Sequence, residues 1–512
     1  METIQKLITD SVNKHRHNRA LWVNDRYYSY DELNFYSDKY IEVLSRYQNQ
    51  NVCILLEKNI FCYGAILALF KDGRTYVPLN IKYSDYRNTQ IVNHSKAQVL
   101  ITEKRFASKV ARIISPENRS STEVIFSEDC FKSSHNDYSS SRDKHVETPQ
   151  VDIFKNHKKD YICYLLFTSG TTGEPKGVPI SSNNLVSYLE NISLQYVINQ
   201  SDRLTQHFDL TFDLSVHDIF VSWINGSCLY VCPNRGTINP TFFVRKHKIT
   251  IWFSVPSLGV YMQKMKQLKG NVFPSLRQTF FCGEALPVSL VKQWLLAAPN
   301  SKIYNLYGPT ESTIAILNYK WEDDTSENEC VNGIVPIGKP FRGQSAKIIE
   351  GDSYKKNGEL HLAGSQVFNG YLASKSTLTS CFKKLSGKNW YKTGDRVSLN
   401  SNGNFIYLGR CDRQVKIRGY RVELLEIEHY LKNVSKSLLV AVIPWPRSEQ
   451  ENYTALIGFI LKTKINRDCN IAKELSKKLP EYFVPKKIIA LEEFPLNSNG
   501  KIDYDGLYDF ID

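Results

Sequence analysis

Through the first hundred residues, short apolar runs alternate with amphipathic stretches. Val52-Cys53-Ile54-Leu55-Leu56 reads as a strand, Tyr63 to Phe70 as a helix, and Val99-Leu100-Ile101 as another strand. That alternation predicts an α/β layered structure up to about Glu103. Ser, Asn, Asp and Lys then dominate from Ser115 to Lys159, which predicts a surface excursion. A second α/β stretch opens with the apolar run Ile162 to Phe167, a Gly-rich loop, and a helix started by Ser181 or Ser182. Further apolar runs at Ile251 to Val255, Gln278 to Cys282 and Ile303 to Leu306 end in turn residues, the strand ends where α/β sheets gather function. From Val335 to Leu408 frequent glycines break the pattern into short runs, predicting a β-rich subdomain. Beyond Arg410 the spacing predicts helices at Leu424 to Leu431 and Ile471 to Leu479, and strands at Leu438 to Ile443 and Ala455 to Leu461. The fold class expected is therefore α/β: two α/β sheet subdomains and a β-rich subdomain in residues 1–411, then a small α+β domain in 412–512.

At 512 residues the chain is too long for a single core, and its 42% hydrophobic and 23% charged residues are ordinary globular usage. The net charge of +13 suits phosphate-bearing ligands or an acidic partner. Its basic clusters are short and lack aromatic interleaving, so no nucleic acid is expected as a partner. No run approaches the roughly 20 apolar residues that cross a bilayer, and the start of the chain has no signal-like stretch. The expectation is a cytoplasmic protein without a membrane partner. Eleven dispersed cysteines argue against a disulfide framework, and Cys228 with Cys232 reads as core packing.

The sharpest chemical feature is Thr168-Ser169-Gly170-Thr171-Thr172-Gly173-Glu174-Pro175-Lys176-Gly177, placed between a strand and a helix. Hydroxyls and glycine-freed N–H groups can wrap a polyphosphate, with Lys176 adding charge. No Ser or Thr follows the lysine, so the loop is not of the Walker type. It resembles the phosphate-binding signature of the ANL superfamily, which includes acyl-CoA synthetases, luciferase and the adenylation domains of nonribosomal peptide synthetases. The resemblance runs in order along almost the whole chain: Asn305-Leu306-Tyr307-Gly308-Pro309-Thr310-Glu311, Gly358-Glu359-Leu360-His361-Leu362, Tyr391-Lys392-Thr393-Gly394-Asp395, Gly409-Arg410-Cys411-Asp412 through Gly419, and Asn499-Gly500-Lys501.

It implies a use for each motif. Thr168 to Gly173 and Lys176 would hold ATP phosphates. Asn305 and Tyr307 would take adenine, and Asp395 with Arg410 the ribose. Glu311 would ligate Mg²⁺, a hard cation that prefers carboxylate oxygens. Lys501, with Thr310 and Glu311, would be catalytic. Two anions must meet when a carboxylate attacks the α-phosphate, and a lysine charge at ~4 Å is worth roughly 4 kcal/mol at an effective dielectric of about 20. The family's C-terminal domain rotates about a hinge at the position of Asp412, removing Lys501 and bringing Gly419 to a thiol tunnel. One departure is Leu425, where glycine is usual, with a minor packing effect expected.

The stretch Phe212-Asp213-Leu214-Ser215-Val216-His217 bears on the acyl substrate. By resemblance Asp213 binds an amino acid's ammonium; the competing reading is that it caps the following helix. The implied side-chain pocket comprises Asp213, Leu214, His217, Ser254, Phe280, Cys282, Leu306, Ile314 and Ala315. It suits a small or medium side chain, with a polar tip near His217 or Ser254 among the options. His217 as a plainly packed histidine remains equally open. The expected function is ATP-dependent activation of an amino acid as aminoacyl-AMP, then transfer to the phosphopantetheine thiol of a separate carrier protein, in nonribosomal peptide or related biosynthesis. Rival readings are a D-alanine:carrier protein ligase of cell-wall modification, an acyl-CoA or aryl-acid ligase, and a non-enzymatic carrier-docking scaffold.

Overall fold

The computed structural model describes residues 3–48, 50–114, 122–131, 160–168, 175–233, 239–351, 353–372, 381–437, 439–448, 451, 453–462, 470–496 and 502–511. Two large sheets organise the body: one of six strands and one of nine. In the six-stranded sheet Asn51–Leu55 is flanked in parallel by Thr75–Pro78 and Val99–Thr102. Between the sheets lie two helices, Ile60–Lys71 and Leu214–Ile224, with Phe70 and Phe220 ring centroids 4.2 Å apart. Apart from Phe61, every residue of Ile60–Lys71 is buried, which explains why its sequence is apolar all round rather than on one face.

Sheet membership does not follow chain order as the sequence predicts. The hairpin Arg19–Val23/Arg26–Ser29 joins the nine-stranded sheet, pairing in parallel with Cys228–Val231. Conversely, Ile162–Thr168 and Lys176–Ser181 close the edge of the first sheet beside Thr75–Pro78. The polar excursion is also not wholly irregular. Its Glu123–Phe126 is a strand on Val99–Thr102, followed by a helical turn Ser127–Cys130, because Ile125 can reach the core; 115–121 and 132–159 lie outside the described residues.

Local signals work where they are strong. Ser181 caps the helix Ser182–Gln195 through a reciprocal bond with Asn184, and Ser29 with Glu32 does the same for Tyr30–Leu44. The glycine-rich stretch forms a separate six-stranded antiparallel sheet around Asn357–Ala363 and Lys388–Leu399. From Gln414 onward come a hairpin, Gln414–Ile417 with Tyr420–Glu423, then the helix Leu424–Ser435 and a three-stranded sheet. These last segments have two apolar cores of their own, one around Ile427 and Leu456 and one around Phe459 and Leu507. Leu425 is exposed, so its departure from glycine costs no packing.

The C-terminal segments are fastened to the body at several points. Arg87 and Glu426 form a fully buried ion pair at 3.1 Å, and the hydroxyls of Tyr83 and Tyr482 meet at 3.1 Å. No helix among the described residues is long and apolar enough to cross a membrane.

Candidate active site

The body and the C-terminal hairpin together line a cleft. Asp213, Leu214, Cys282, Thr310, Asp395 and Arg410 line it from the body, and Lys416, Gly419 and Arg421 from the hairpin. The residues named by the motifs thus converge, although they lie up to 200 positions apart.

On the nucleotide side Asp395, Asp412, Glu311, Arg410 and Arg421 are all paired. Strand Lys302–Tyr307 delivers Tyr307, whose hydroxyl donates to Asp395 on the neighbouring sheet. Arg410 donates to the other Asp395 oxygen at 2.6 Å and to the Thr393 carbonyl at 2.8 Å. Its remaining nitrogens hold both oxygens of Asp412 at 2.9 and 2.7 Å. Burial works against ionisation of Asp412, yet the Arg410 bonds and charge keep its carboxyl below the usual range. Asn305 is buried, with its amide nitrogen 2.9 Å from the Pro336 carbonyl and its side-chain oxygen without a hydrogen-bond partner among the described residues.

After Tyr307 the chain turns sharply. A side chain at Gly308 would meet the Ala315 backbone at 2.7 Å, so only glycine permits this approach. Thr313 and Ile314 then adopt left-handed φ values of 59° and 71°, strain that β-branched residues rarely tolerate. Gln366 secures them, accepting from Thr313 at its carbonyl (2.5 Å) and donating to the Ala315 carbonyl (2.7 Å). The same turn brings Thr310 to the cleft lining and buries Glu311 fully behind it. Glu311 accepts from the Tyr371 hydroxyl at 2.5 Å and from Arg421 at 2.9 and 3.0 Å. Burial opposes its charge, but the Arg421 guanidinium holds the carboxyl below its ordinary value.

The amino-acid side differs. Asp213, 3% exposed, stands at the N-terminus of the helix Leu214–Ile224; it makes no standard side-chain cap bond there, although the Leu214 N–H favours its ionised carboxyl. Burial, reinforced by the Glu311 charge, pushes its carboxyl up to about 7 against the pull of the Thr310 hydroxyl. Among the described residues no cation is within ion-pair distance of it, although the Lys416 charge favours its ionised form. Leu214 and Cys282 line the cleft, whereas His217, Ser254, Phe280, Leu306, Ile314 and Ala315 are buried outside its lining. Burial pushes the Cys282 thiol up to about 12, leaving it neutral. His217 bonds the Tyr188 hydroxyl at 2.6 Å and lies 4.3 Å from the Phe253 ring; burial lowers its pKa to about 3. Ser254 accepts from the Trp252 indole at 2.8 Å and donates to the Val255 carbonyl at 3.1 Å, so its hydroxyl is not available as a polar tip.

Thr168 pairs with Lys176 across the base of the phosphate loop, and Lys176 sits 5.7 Å from the Tyr371 ring; Ser169, Gly170, Thr171, Thr172 and Gly173 lie outside the described residues. So does Lys501. Its neighbours Leu496 and Ile502 bridge each other, and Ile502 packs on the C-terminal core around Phe459.

Residues 8–372 match the family of AMP-binding enzymes. The chain belongs to that family. The D-alanine–D-alanyl carrier protein ligase of Listeria monocytogenes serovar 1/2a is 30% identical over 93% of this chain and 92% of that enzyme. Gramicidin S synthase 1 of Brevibacillus brevis is 30% identical over 98% of this chain, which spans only 44% of that synthase. Among solved structures, the Vibrio cholerae adenylation domain AlmE, in complex with glycyl-adenosine-5′-phosphate, is 31% identical over 99% of this chain and 97% of that one, with a TM-score of 0.85. The expected enzyme class, an ATP-dependent amino acid:carrier protein ligase, is the one these relatives represent, and the expected α/β architecture matches theirs.

For an AMP-binding enzyme the donor set fits its nucleotide. The unpartnered Asn305 oxygen can accept from an exocyclic amino group, and Asp395 is an acceptor fixed by Arg410. Sequence reasoning missed Gln366 and Tyr407, which carry no local motif of their own, and gave no individual role to Tyr371 and Lys416, which lie within motifs of the resemblance.

Proposed function

We propose that this enzyme uses ATP to activate a small α-amino acid, glycine or alanine, as aminoacyl-AMP, releasing pyrophosphate, and then passes the acyl group to the phosphopantetheine thiol of a carrier protein in the cytoplasm. The observation that carries the reading is Asp213: a buried carboxyl at the cleft, held above its ordinary pKa despite the Lys416 charge and without an ion pair among the described residues, whose ionised form would be stabilised by the charge an amino acid brings. Fatty and aryl acids bring none. The cleft reaches Leu214 and Cys282 but not His217 or Phe280, which supports a small side chain over the medium ones open from sequence. Relatives named for D-alanine and for glycyl-adenylate point the same way.

In this reading residues 1–411 form the adenylation core and 412–512 the domain that turns about Asp412. Lys501 acts in adenylation and Gly419 borders the thiol route. Glu311 is the Mg²⁺ ligand. Because Arg421 occupies Glu311 here, the arrangement corresponds to the transfer step rather than to adenylation. A nonribosomal peptide pathway and cell-wall alanylation are both compatible homes for the reaction. The test is amino-acid-dependent ATP–pyrophosphate exchange over L- and D-amino acids with aryl and fatty acids as controls. Exchange with glycine or alanine at least tenfold above leucine and phenylalanine supports the reading; exchange driven only by acids lacking an amino group defeats it.

A further inference from the structure

We propose that Glu284 is a positioning residue for the transfer step, acting as the latch that seats the C-terminal hairpin in the cleft. The inference rests on the two-step reading above. Glu284 follows Gly283, directly after the cleft-lining Cys282. Its two carboxylate oxygens are divided between two main-chain donors from different parts of the molecule. One accepts from the Ser257 N–H at 2.8 Å, in the first turn of the helix Pro256–Lys264; the other accepts from the Gly419 N–H at 2.5 Å, at the tip of the hairpin.

Each bond answers a local need. The helix Pro256–Lys264 has no side-chain cap of its own, so a carboxylate at its first turn satisfies an orphan N–H and the positive end of the helix dipole. The hairpin tip, Arg418-Gly419, has φ values of 51° and 84°, the paired left-handed geometry of a tight two-residue turn, which points the Gly419 N–H outward. The tip fits closely: a Cβ at Gly419 would come within 2.4 Å of Val255 Cγ1 and 3.5 Å of the Phe212 ring. Glu284 therefore joins the segment that lines the cleft to the backbone of the element that enters it. Of the other fastenings, Arg87–Glu426 and Tyr83–Tyr482 lie away from the cleft lining, and Arg421–Glu311 holds the second strand of the hairpin; Glu284 is the one of these that bonds the tip itself.

Replacing Glu284 with Gln keeps the size but presents an NH₂ to one of the two N–H groups, so one bond becomes a donor–donor contact. In the adenylating arrangement of the proposed cycle the hairpin has left, and the loss has no counterpart there. The experiment compares the full-length wild type, Glu284→Gln and Glu284→Asp by three measurements: hydrogen exchange of the segment 414–423, amino-acid-dependent ATP–pyrophosphate exchange, and thioester formation on free pantetheine. For Glu284→Gln the expected result is at least tenfold faster hydrogen exchange at the hairpin and at least a tenfold drop in thioester formation, with pyrophosphate exchange within twofold of wild type. Glu284→Asp should reproduce that split in smaller measure, because it keeps the charge but shortens the reach needed to hold the Ser257 and Gly419 N–H groups together. Unchanged hydrogen exchange at 414–423 overturns the latch. So does an equal fall in both half-reactions, which would mark Glu284 as a support of helix Pro256–Lys264 alone. If the wild type exchanges no pyrophosphate with any amino acid, the functional reading fails while the hydrogen-exchange comparison still decides the latch.

Discussion

The two halves of the cleft are built on opposite plans. On the nucleotide side Asp395, Arg410, Asp412, Glu311 and Arg421 are all paired, and Tyr307 is tied to Asp395. On the amino-acid side Asp213 is buried with no ion-pair partner among the described residues, and its carboxyl is pushed up to about 7. The lesson is that the first half is preorganised by the protein itself, whereas the second is completed by its ligand. Preorganisation fixes Asp395 and Arg410 in place, while in the proposed cycle Arg421 leaves Glu311 for adenylation. On the proposed function, the ammonium of the substrate is what the amino-acid side lacks.

Changes that strike both halves at once should cost most. Lys501→Ala, which removes the charge proposed to bridge carboxylate and α-phosphate, should lower pyrophosphate exchange by about 1000-fold, near the upper end for one electrostatic contact. Near-normal exchange would remove Lys501 from the adenylation step. Asp213→Ala should reduce kcat/KM for the amino acid by about 100-fold, as expected for losing a buried charge partner, and shift KM for ATP by less than about threefold. Equal effects on both substrates would erase the contrast between the halves.

The pH profile sharpens it further. A carboxyl with its pKa raised to about 7 is ionised above that pH and neutral below it. Capture of the amino acid by the free enzyme should therefore fall as pH drops from 8 to 6, approaching tenfold per unit on the acid side. Asp213→Asn should remove that limb, which kcat/KM measured across the range will show. The smallest effect is expected at Ser254→Ala, within about twofold in amino-acid selectivity, because its hydroxyl already serves Trp252 and Val255. A tenfold change in selectivity would return Ser254 to the pocket.

The nucleotide half was also the more legible in sequence. Its residues sit in contiguous motifs, such as Asn305 to Glu311, whose spacing survives without knowledge of the fold. The helix at Ser182 was legible because Ser181 and Asn184 announce it locally. The amino-acid half was read less well. Ser254 looked like a polar tip because sequence gives no sign that an indole two residues away uses it. The left-handed Thr313 and Ile314 run against their own propensities and are held by Gln366, more than fifty residues on. Likewise, nothing near Arg19–Val23 indicates a strand partner at Cys228–Val231. Long-range pairing and tertiary override of local preference leave no trace in a window of neighbours.

The central claim is that Asp213 makes this AMP-binding enzyme one for amino acids. It is tested most directly by pyrophosphate exchange of the wild type and Asp213→Ala with glycine, L- and D-alanine, and the matching acids without the amino group, acetate and propionate. The account predicts exchange with one of the amino acids, none with the simple acids, and loss of the amino-acid signal in Asp213→Ala. Comparable exchange with acetate or propionate, or an undiminished amino-acid signal in Asp213→Ala, would contradict it.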